Sequence, residues 1–292
     1  MKIEIIYRKG NRDINEDSFV INKEDQIFAV IDGATGVGGL SGDIASGIIR
    51  EALETENGDI TERILKGNAT LGKKTVETLG ESTMENTPKY KRSSCGLAAI
   101  QLPLSGMKME YAAAADCLFF LQYKNNEIRQ INHDLVDPLD RAVIELVQKQ
   151  WKRYISGNDD PNEWEPSKIK QTLQEIRETI LDILQANRNK MNNPEGYNII
   201  DGSKTAEEFL ESGVIPLINV KKILLLTDGL KIHSHRLEPI ENEWLYSAKI
   251  AFEHGLSYLE KTILDMEIND PACYQYPRLK QHDDKTGILI HL

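Results

Sequence analysis

Carboxylates gather at four places in the sequence where a predicted strand begins or ends. They are Asn15–Asp17, Asp32–Gly33, Asp228–Gly229 and Asp283–Asp284. Side chains at strand ends can converge from distant parts of a chain, and carboxylates that meet without a cation repel one another. Oxygen donors suit Mg²⁺ and Mn²⁺, whereas a zinc site usually contains His or Cys. The four clusters therefore predict a site for hard divalent cations.

A glycine follows two of these strand-end aspartates, in the pairs Asp32–Gly33 and Asp228–Gly229. A glycine at this position permits a tight turn with φ > 0 and can turn its carbonyl oxygen toward the site. Asp-Gly is also a common turn dipeptide, so a single pair would indicate only a turn. Two pairs after buried strands, with a third acidic pair before the last strand, favour a functional site.

The elements that must position these residues are strands toward both ends of the chain and helices between them. Apolar runs predict strands at Lys2–Tyr7, Ser18–Asn22, Gln26–Asp32, Cys95–Leu102, Met107–Ala115, Leu118–Tyr123, Tyr197–Ile200, Lys222–Thr227 and Gly287–Leu292. Helical spacing covers Ile44–Glu54, Ile60–Leu79, two stripes between Pro138 and Met191, and Glu241–Met266. We predict one continuous α+β domain over residues 1–292, with a helical insertion at about 138–191.

Composition excludes several classes of function. The net charge of -11 argues against nucleic-acid binding, which needs clustered Lys and Arg. No stretch reaches the roughly 20 apolar residues of a membrane span, and Met1–Asp17 is typical of a strand and a charged loop rather than a signal peptide. The 3 cysteines form no CxxC pair, which favours reduced thiols. We therefore expect a cytoplasmic protein without nucleic-acid or membrane partners.

Five motifs in the sequence resemble those of a known family. They are Arg12-Asp-Ile-Asn-Glu-Asp17, Val30-Ile-Asp-Gly33, Gly42-Asp-Ile-Ala-Ser46, Leu226-Thr-Asp-Gly-Leu230 and Asp283-Asp-Lys-Thr286. Each resembles a signature of the PPM, or PP2C-like, metal-dependent serine/threonine protein phosphatases, in its bacterial form. Each is weak alone, but all five occur in family order from Arg12 to Thr286.

The resemblance implies a four-layer αββα sandwich, in which two antiparallel sheets are flanked by helix pairs. It also implies two Mg²⁺ or Mn²⁺ ions in a cleft at one end of the sandwich. By position, the resemblance makes Asp32 the bridging ligand of both ions and Glu16 a ligand of one. It makes Asp228 and Asp283 ligands of the other ion, the Gly33 carbonyl a further ligand, and Asp17 a residue that acts through bound water.

The implied reaction is hydrolysis of phosphoserine and phosphothreonine in phosphoproteins. Two ions about 3.5–4 Å apart can share a water molecule, lower its pKa and present hydroxide to phosphorus. Arg12 and Asp32 are the implied catalytic residues, and the planar fork of Arg12 suits bidentate contact with a phosphate. A role in signalling, with a serine/threonine kinase as a partner, would follow from that activity.

The chain also departs from the family pattern. Ala34-Thr-Gly-Val-Gly-Gly39 stands where many relatives have His after Asp-Gly, so the general acid proposed in some of them is missing. Ala115-Asp-Cys-Leu118 replaces the G-D-S-R turn. Asp116 is retained there, and is either a ligand of a third ion or a plain turn aspartate.

Three alternatives stay open. The missing His and altered turn allow a catalytically weak or inactive PP2C-like module that binds a signalling partner. The glycine-rich segment 33–39 allows a dinucleotide-binding loop, although Asp32 would place negative charge beside the pyrophosphate. The helical stretch 138–191 is either a structural hairpin that covers one sheet or an element that narrows substrate choice.

Overall fold

Two antiparallel five-stranded sheets form the centre of the molecule. A computed structural model describes residues 1–103, 106–157 and 159–292. In chain order the strands are β1 (Lys2–Arg8), β2 (Ser18–Asn22), β3 (Ile27–Ala34), β4 (Ser94–Gln101), β5 (Lys108–Ala114), β6 (Leu118–Tyr123), β7 (Ile128–Gln130), β8 (Glu211–Pro216), β9 (Val220–Leu226) and β10 (Lys285–His291). The first sheet has the order β2-β3-β4-β5-β8 and the second the order β1-β10-β9-β6-β7.

Pairs of helices cover the outer faces of the sheets. The α-helices are α1 (Gly42–Thr55), α2 (Ile60–Leu79), α3 (Asp137–Trp151), α4 (Pro166–Arg188), α5 (Lys204–Phe209), α6 (Glu243–His254) and α7 (Leu256–Asn269). Helices α1 and α2 pack on the first sheet, and α6 and α7 pack on the second. The predicted α+β fold, a four-layer αββα sandwich, is confirmed.

The alternation of side chains along the strands explains the layers. In β3, Phe28 and Val30 point between the sheets, where they meet Phe119 of β6, whereas Ile27 and Ile31 point toward α1 and α2. Because successive residues of a strand face opposite sides, a near-continuous apolar run such as 27–31 is buried on both faces. Asp32 directly follows this buried run and lies near the end of β3.

One predicted helix is wrong. The segment Glu241–Met266 forms two helices, α6 and α7, because Gly255 between them has φ of 89°. Glycine adopts this left-handed region without steric cost, and the helix therefore breaks there. The predicted strand Tyr197–Ile200 makes only isolated bridges, in which Tyr197 pairs with Met191 and Ile200 with Cys95. Strands β7 and β8 were not predicted.

The helices expected between Pro138 and Met191 are α3 and α4, which form a hairpin with its own hydrophobic cluster. Val143, Val147 and Trp151 of α3 meet Ile176 and Ile180 of α4 in this cluster. The cluster also includes Ala272, and Leu279 packs against it. The hairpin is therefore joined to the loop before β10, which carries residues of the site described below. Within the described ranges, no helix is long and apolar enough to cross a membrane.

Candidate metal centre

The strand-end carboxylates meet in one cleft with a volume of about 710 Å³. Asp32 near the end of β3, Asp116 between β5 and β6, Asp228 after β9 and Asp283 before β10 all line it. Helices α3 and α4 line the cleft as well, through apolar side chains such as Ile144 and Ile176 and through charged ones. The cleft thus combines a cluster of carboxylates with a largely apolar wall.

Asp32 and Asp228 are the central pair, since the negative charge of Asp228 is the strongest of the neighbouring charges that act on Asp32. Burial raises the pKa of Asp32, and the negative charges of Asp228 and Asp17 raise it further. Burial and the charge of Asp283 likewise raise the pKa of Asp228, although Lys280 opposes the rise. Oδ1 of Asp228 is buried and has no hydrogen-bond partner among the described residues. An unpaired buried carboxylate oxygen is costly, and a cation would satisfy it.

Asp17 is buried beside the ends of β9 and β10. Its Oδ2 accepts hydrogen bonds from Thr227 Oγ1 at 2.9 Å and from Thr286 Oγ1 at 2.7 Å. Burial raises the pKa of Asp17, the hydrogen bond from Thr286 lowers it, and the charges of Asp283 and Asp228 raise it again, so that the net shift is upward. The two threonines therefore hold Asp17 in place next to the central pair.

Glu16 is the predicted ligand whose carboxylate is most fully engaged by protein donors. Its Oε1 accepts hydrogen bonds from Thr35 Oγ1 and from the Gly42 amide, the latter at 3.1 Å, and its Oε2 accepts one from Arg12 Nη1. Arg12 Nη1 also donates to Thr35 Oγ1 at 2.9 Å. The predicted phosphate-binding arginine is thus paired with a predicted metal ligand, and both line the cleft.

The two glycines that follow the strand-end aspartates allow other backbone segments to approach closely. We had expected instead that they would adopt a positive φ. A Cβ at Gly33 would lie 2.3 Å from the carbonyl oxygen of Glu16, and one at Gly229 would lie 1.8 Å from that of Asp284. Neither glycine has a positive φ. Only glycine therefore lets the N-terminal loop and the loop before β10 pack against these strand ends.

The two aspartates before β10, Asp283 and Asp284, have different hydrogen-bond partners. Asp284 accepts from the Gly10 amide through Oδ1 and from the Glu16 amide through Oδ2, each at 2.7 Å. It therefore fixes the N-terminal loop against the C-terminal one. Asp283 turns to the cleft, where its Oδ1 accepts from Lys280 Nζ at 2.6 Å. The sequence singled out the pair but did not indicate this division.

Other charged residues of the cleft were missed. Lys280 is one, and Asp134 and Asp140 are two others. Burial and the charges of Asp228 and Asp134 raise the pKa of Asp140 to about 7. Asp134 accepts from Trp244 Nε1 at 2.8 Å. Asp140 lies in α3 and Lys280 in the irregular loop before β10, so no strand-end pattern pointed to either of them.

The side chains fit a hard divalent cation in chemistry, because they offer carboxylate oxygens around one buried unpaired oxygen. Their arrangement is not preformed, since no group of three or more His, Cys, Asp or Glu among residues 1–103, 106–157 and 159–292 is placed to hold a metal ion. Protein donors also occupy oxygens of Glu16, Asp17 and Asp283. A bound ion would exchange some of these donors for itself.

Comparison with solved structures identifies the fold of this chain. No family model matches the sequence, and no curated protein matches it. The catalytic domain of the serine/threonine protein phosphatase PstP, solved with 2 manganese ions, has a TM-score of 0.54 at 15% identity, over 99% of this chain and 96% of that one. This chain has the fold of the PPM phosphatases.

Two further solved phosphatases have a similar fold. The PPM Ser-Thr phosphatase MsPP from Mycobacterium smegmatis, in complex with cacodylate, has a TM-score of 0.54 at 15% identity, over 100% of this chain and 98% of that one. The phosphatase Stp1 from Staphylococcus aureus has a TM-score of 0.53 at 15% identity, over 100% of this chain and 94% of that one. The resemblance inferred from the five motifs is confirmed as a likeness of fold over the whole chain.

Proposed function

We propose that this chain is a metal-dependent phosphatase that hydrolyses phosphoserine and phosphothreonine in proteins and requires Mg²⁺ or Mn²⁺. The observation that supports this most is the convergence of Asp32, Asp116, Asp228 and Asp283 in one cleft that Arg12 also lines. A phosphoprotein substrate of this kind is made by a serine/threonine kinase, and the partner of opposite activity would be such an enzyme in a signalling pathway.

The proposed ligands of two ions are Glu16, Asp32, the Gly33 carbonyl, Asp228 and Asp283, with Asp17 acting through water. Bound there, divalent ions would lower the pKa of a shared water molecule and supply hydroxide near neutral pH. The protein's own part is to hold the carboxylates together and to keep Asp17 in place through Thr227 and Thr286. Asp116, which lines the same cleft, is the proposed ligand of a third ion.

Arg12 is the proposed phosphate-binding residue. In the part of the chain that the structure describes, its hydrogen bonds all come from Nη1. Nη2 and Nε can therefore point to two oxygens of a phosphate, as the fork of a guanidinium does best. A phosphate bound there would also weaken the pairing of Arg12 with Glu16 and free a carboxylate oxygen for metal.

The test is Mn²⁺-dependent hydrolysis of p-nitrophenyl phosphate and of a phosphothreonine peptide. We expect Asp32→Asn and Asp228→Asn each to lower kcat/KM by about 1,000-fold or more, equal to several kcal/mol of lost transition-state stabilisation. Both variants should stay folded, because neutralising one of these carboxyls relieves repulsion. Asp182→Asn, an exposed aspartate of α4, is the matched control and should retain wild-type turnover.

A turnover near that of the wild type in Asp32→Asn would contradict the assignment. The second candidate function is a catalytically weak or inactive module that binds a signalling partner. The pairing of Arg12 with Glu16 favours it, because both residues are then engaged with each other. Calorimetric Mn²⁺ binding without hydrolysis of either substrate would select this module over the enzyme.

A further inference from the structure

Lys280 is a cation placed among the carboxylates of the cleft. Its Nζ lies 2.6 Å from Oδ1 of Asp283. Burial in the cleft wall disfavours its charged form, but the negative charges of Asp283, Asp228 and Asp32 outweigh that effect and raise the pKa of Lys280. Of the five proposed metal ligands, Asp283 thus contacts this ammonium group, and the charges of two others, Asp228 and Asp32, act on it. The proposed function assigns no task to it.

The loop before β10 holds Lys280 firmly in this position. Arg278 is buried and donates to Asp270 Oδ2 at 2.8 Å and to the Asp270 carbonyl oxygen at 2.6 Å. Leu279 packs against the cluster of α3 and α4, and Gln281 Nε2 donates to the Pro271 carbonyl oxygen at 2.6 Å. The backbone on both sides of Lys280 is thus anchored, and this conformation of the loop places the ammonium group beside the carboxylates.

The side chain of Lys280 can nevertheless move aside. It is 39% exposed, through the open side of the cleft. Its four-carbon stem is flexible, and an ammonium that leaves Asp283 reaches water, where it is well hydrated. A displaced lysine therefore costs far less than a displaced buried cation would.

We propose that Lys280 is a built-in counter-ion of this site, which neutralises Asp283 and Asp228 in the metal-free protein and competes with a divalent ion for the position beside them. The inference rests on the proposed function for the metal class. Its consequence is a lowered affinity for the ion beside Asp283 and Asp228, because that ion must displace Lys280. This ion then binds only at a higher metal concentration than it would without Lys280.

The experiment is titration calorimetry of Mn²⁺ into metal-free protein. We expect Lys280→Gln to bind the ion beside Asp283 and Asp228 about tenfold or more tightly than the wild type, since one positive charge next to the ion has been removed. Lys280→Arg keeps the charge and should retain the wild-type dissociation constant. Lys261→Gln removes a lysine that pairs with Asp265 at 2.8 Å on the surface, and it is the matched control.

The inference is overturned if Lys280→Gln and Lys261→Gln bind Mn²⁺ with the same constants, or if Lys280→Arg binds as tightly as Lys280→Gln. Thermal unfolding in EDTA is the second measurement, in which Lys280→Gln should have a lower Tm than Lys261→Gln. A Lys280→Gln protein that is unfolded in EDTA and refolds with Mn²⁺ supports the inference, and one that Mn²⁺ does not refold overturns it. Phosphatase assays run in parallel separate the proposed phosphatase activity from the proposed role of Lys280. If the wild type is active but Lys280→Gln binds Mn²⁺ with the wild-type isotherm, only the role of Lys280 is rejected.

Discussion

Glu267, which also lines the cleft, shows how this protein keeps charge in its interior. The carboxylate is buried, and it accepts from Lys285 Nζ at 2.8 Å and contacts His282 Nδ1 at 2.8 Å and His233 Nε2 at 3.4 Å. Lys285 itself is among the largest fully buried side chains. A buried carboxylate with partners is stabilised as an ion, in contrast to Asp32 and Asp228, whose nearest neighbours include other carboxylates.

The pH dependence of stability should reveal this difference. Burial alone would raise the pKa of Glu267, but the hydrogen bond from His233 and the charge of Lys285 lower it from 4.5 to about 2. Its stabilising contribution is therefore fully present above pH 4.5 and is lost as the pH falls toward 2. Glu267→Gln should flatten the fall of Tm across that interval, and it should cost about 3–5 kcal/mol at pH 7 because Lys285 is left unpaired.

The control for this prediction is Glu253→Gln, whose side chain is 67% exposed in the wild type. Thermal unfolding of the three proteins between pH 7 and pH 2 gives the comparison. If the Tm of Glu267→Gln falls with decreasing pH as steeply as the Tm of the control, other carboxylates cause the acid sensitivity.

At the scale of elements, the α3–α4 hairpin forms a second hydrophobic core next to the sandwich. Trp151 is its centre, with ring centroids of Tyr274 and Trp164 at 5.8 Å and 6.0 Å. Tyr274 belongs to the loop before β10, so the hairpin supports the loop that carries Lys280 and Asp283. We propose that the hairpin also narrows substrate choice, because α3 and α4 line the cleft.

Replacement of Trp151 should loosen this second core and leave the sandwich intact. Trp151→Ala should lose about 3–5 kcal/mol of local stability, as large-to-small changes of buried aromatic residues do. Trp151→Phe should lose much less, because Nε1 of Trp151 is buried without a hydrogen-bond partner among the described residues. Hydrogen exchange is the measurement: faster exchange in α3, α4 and residues 272–279, with unchanged exchange in β3 and β9, is expected. Equal acceleration in all of these elements would contradict a separate core.

Much of the fold could be predicted because its signals are local. The apolar runs of β3 and β9 and the spacing of α1 and α2 placed these elements within a few residues, and α2 begins with a capping box formed by Asp59 and Glu62. The break at Gly255 was not predictable from hydrophobic spacing, which continues through it. In the site, the strand-end aspartates were found, but Lys280 was not, since its role depends on a loop conformation fixed by Arg278 and Asp270.

At the scale of the whole molecule, charge sets the response to metal. The chain carries a net charge of -11. Part of that charge is gathered around one cleft, where burial raises the pKa values of Asp17, Asp32 and Asp116 and the negative charge of Asp228 raises each of them further. A divalent ion bound there offsets repulsion that the folded state otherwise retains.

Metal should therefore stabilise the protein markedly. At free Mn²⁺ of about 100 times Kd, the gain is about 2.7 kcal/mol for one site, equal to a rise in Tm of roughly 4–5 °C for a chain of this size. EDTA should reverse the rise, and Asp228→Asn should abolish most of it. Differential scanning calorimetry with Mn²⁺, Mg²⁺ and EDTA gives the measurement. A Tm that Mn²⁺ leaves unchanged would argue against a metal centre in this cleft.

The position of β10 has a consequence for how the molecule is made. It follows the other strands in the chain, yet it lies between β1 and β9. While a ribosome is still producing the preceding segments, β1 and β9 therefore have no partner at these edges, and the amides of Gly10 and Glu16 still lack Asp284. Asp283 stands just before β10 and can join Asp32 and Asp228 only when this strand inserts. The proposed cation site therefore stays incomplete in a nascent chain until synthesis has passed residue 291. Late insertion of an interior strand also leaves exposed edges for longer, which favours chaperone binding during translation.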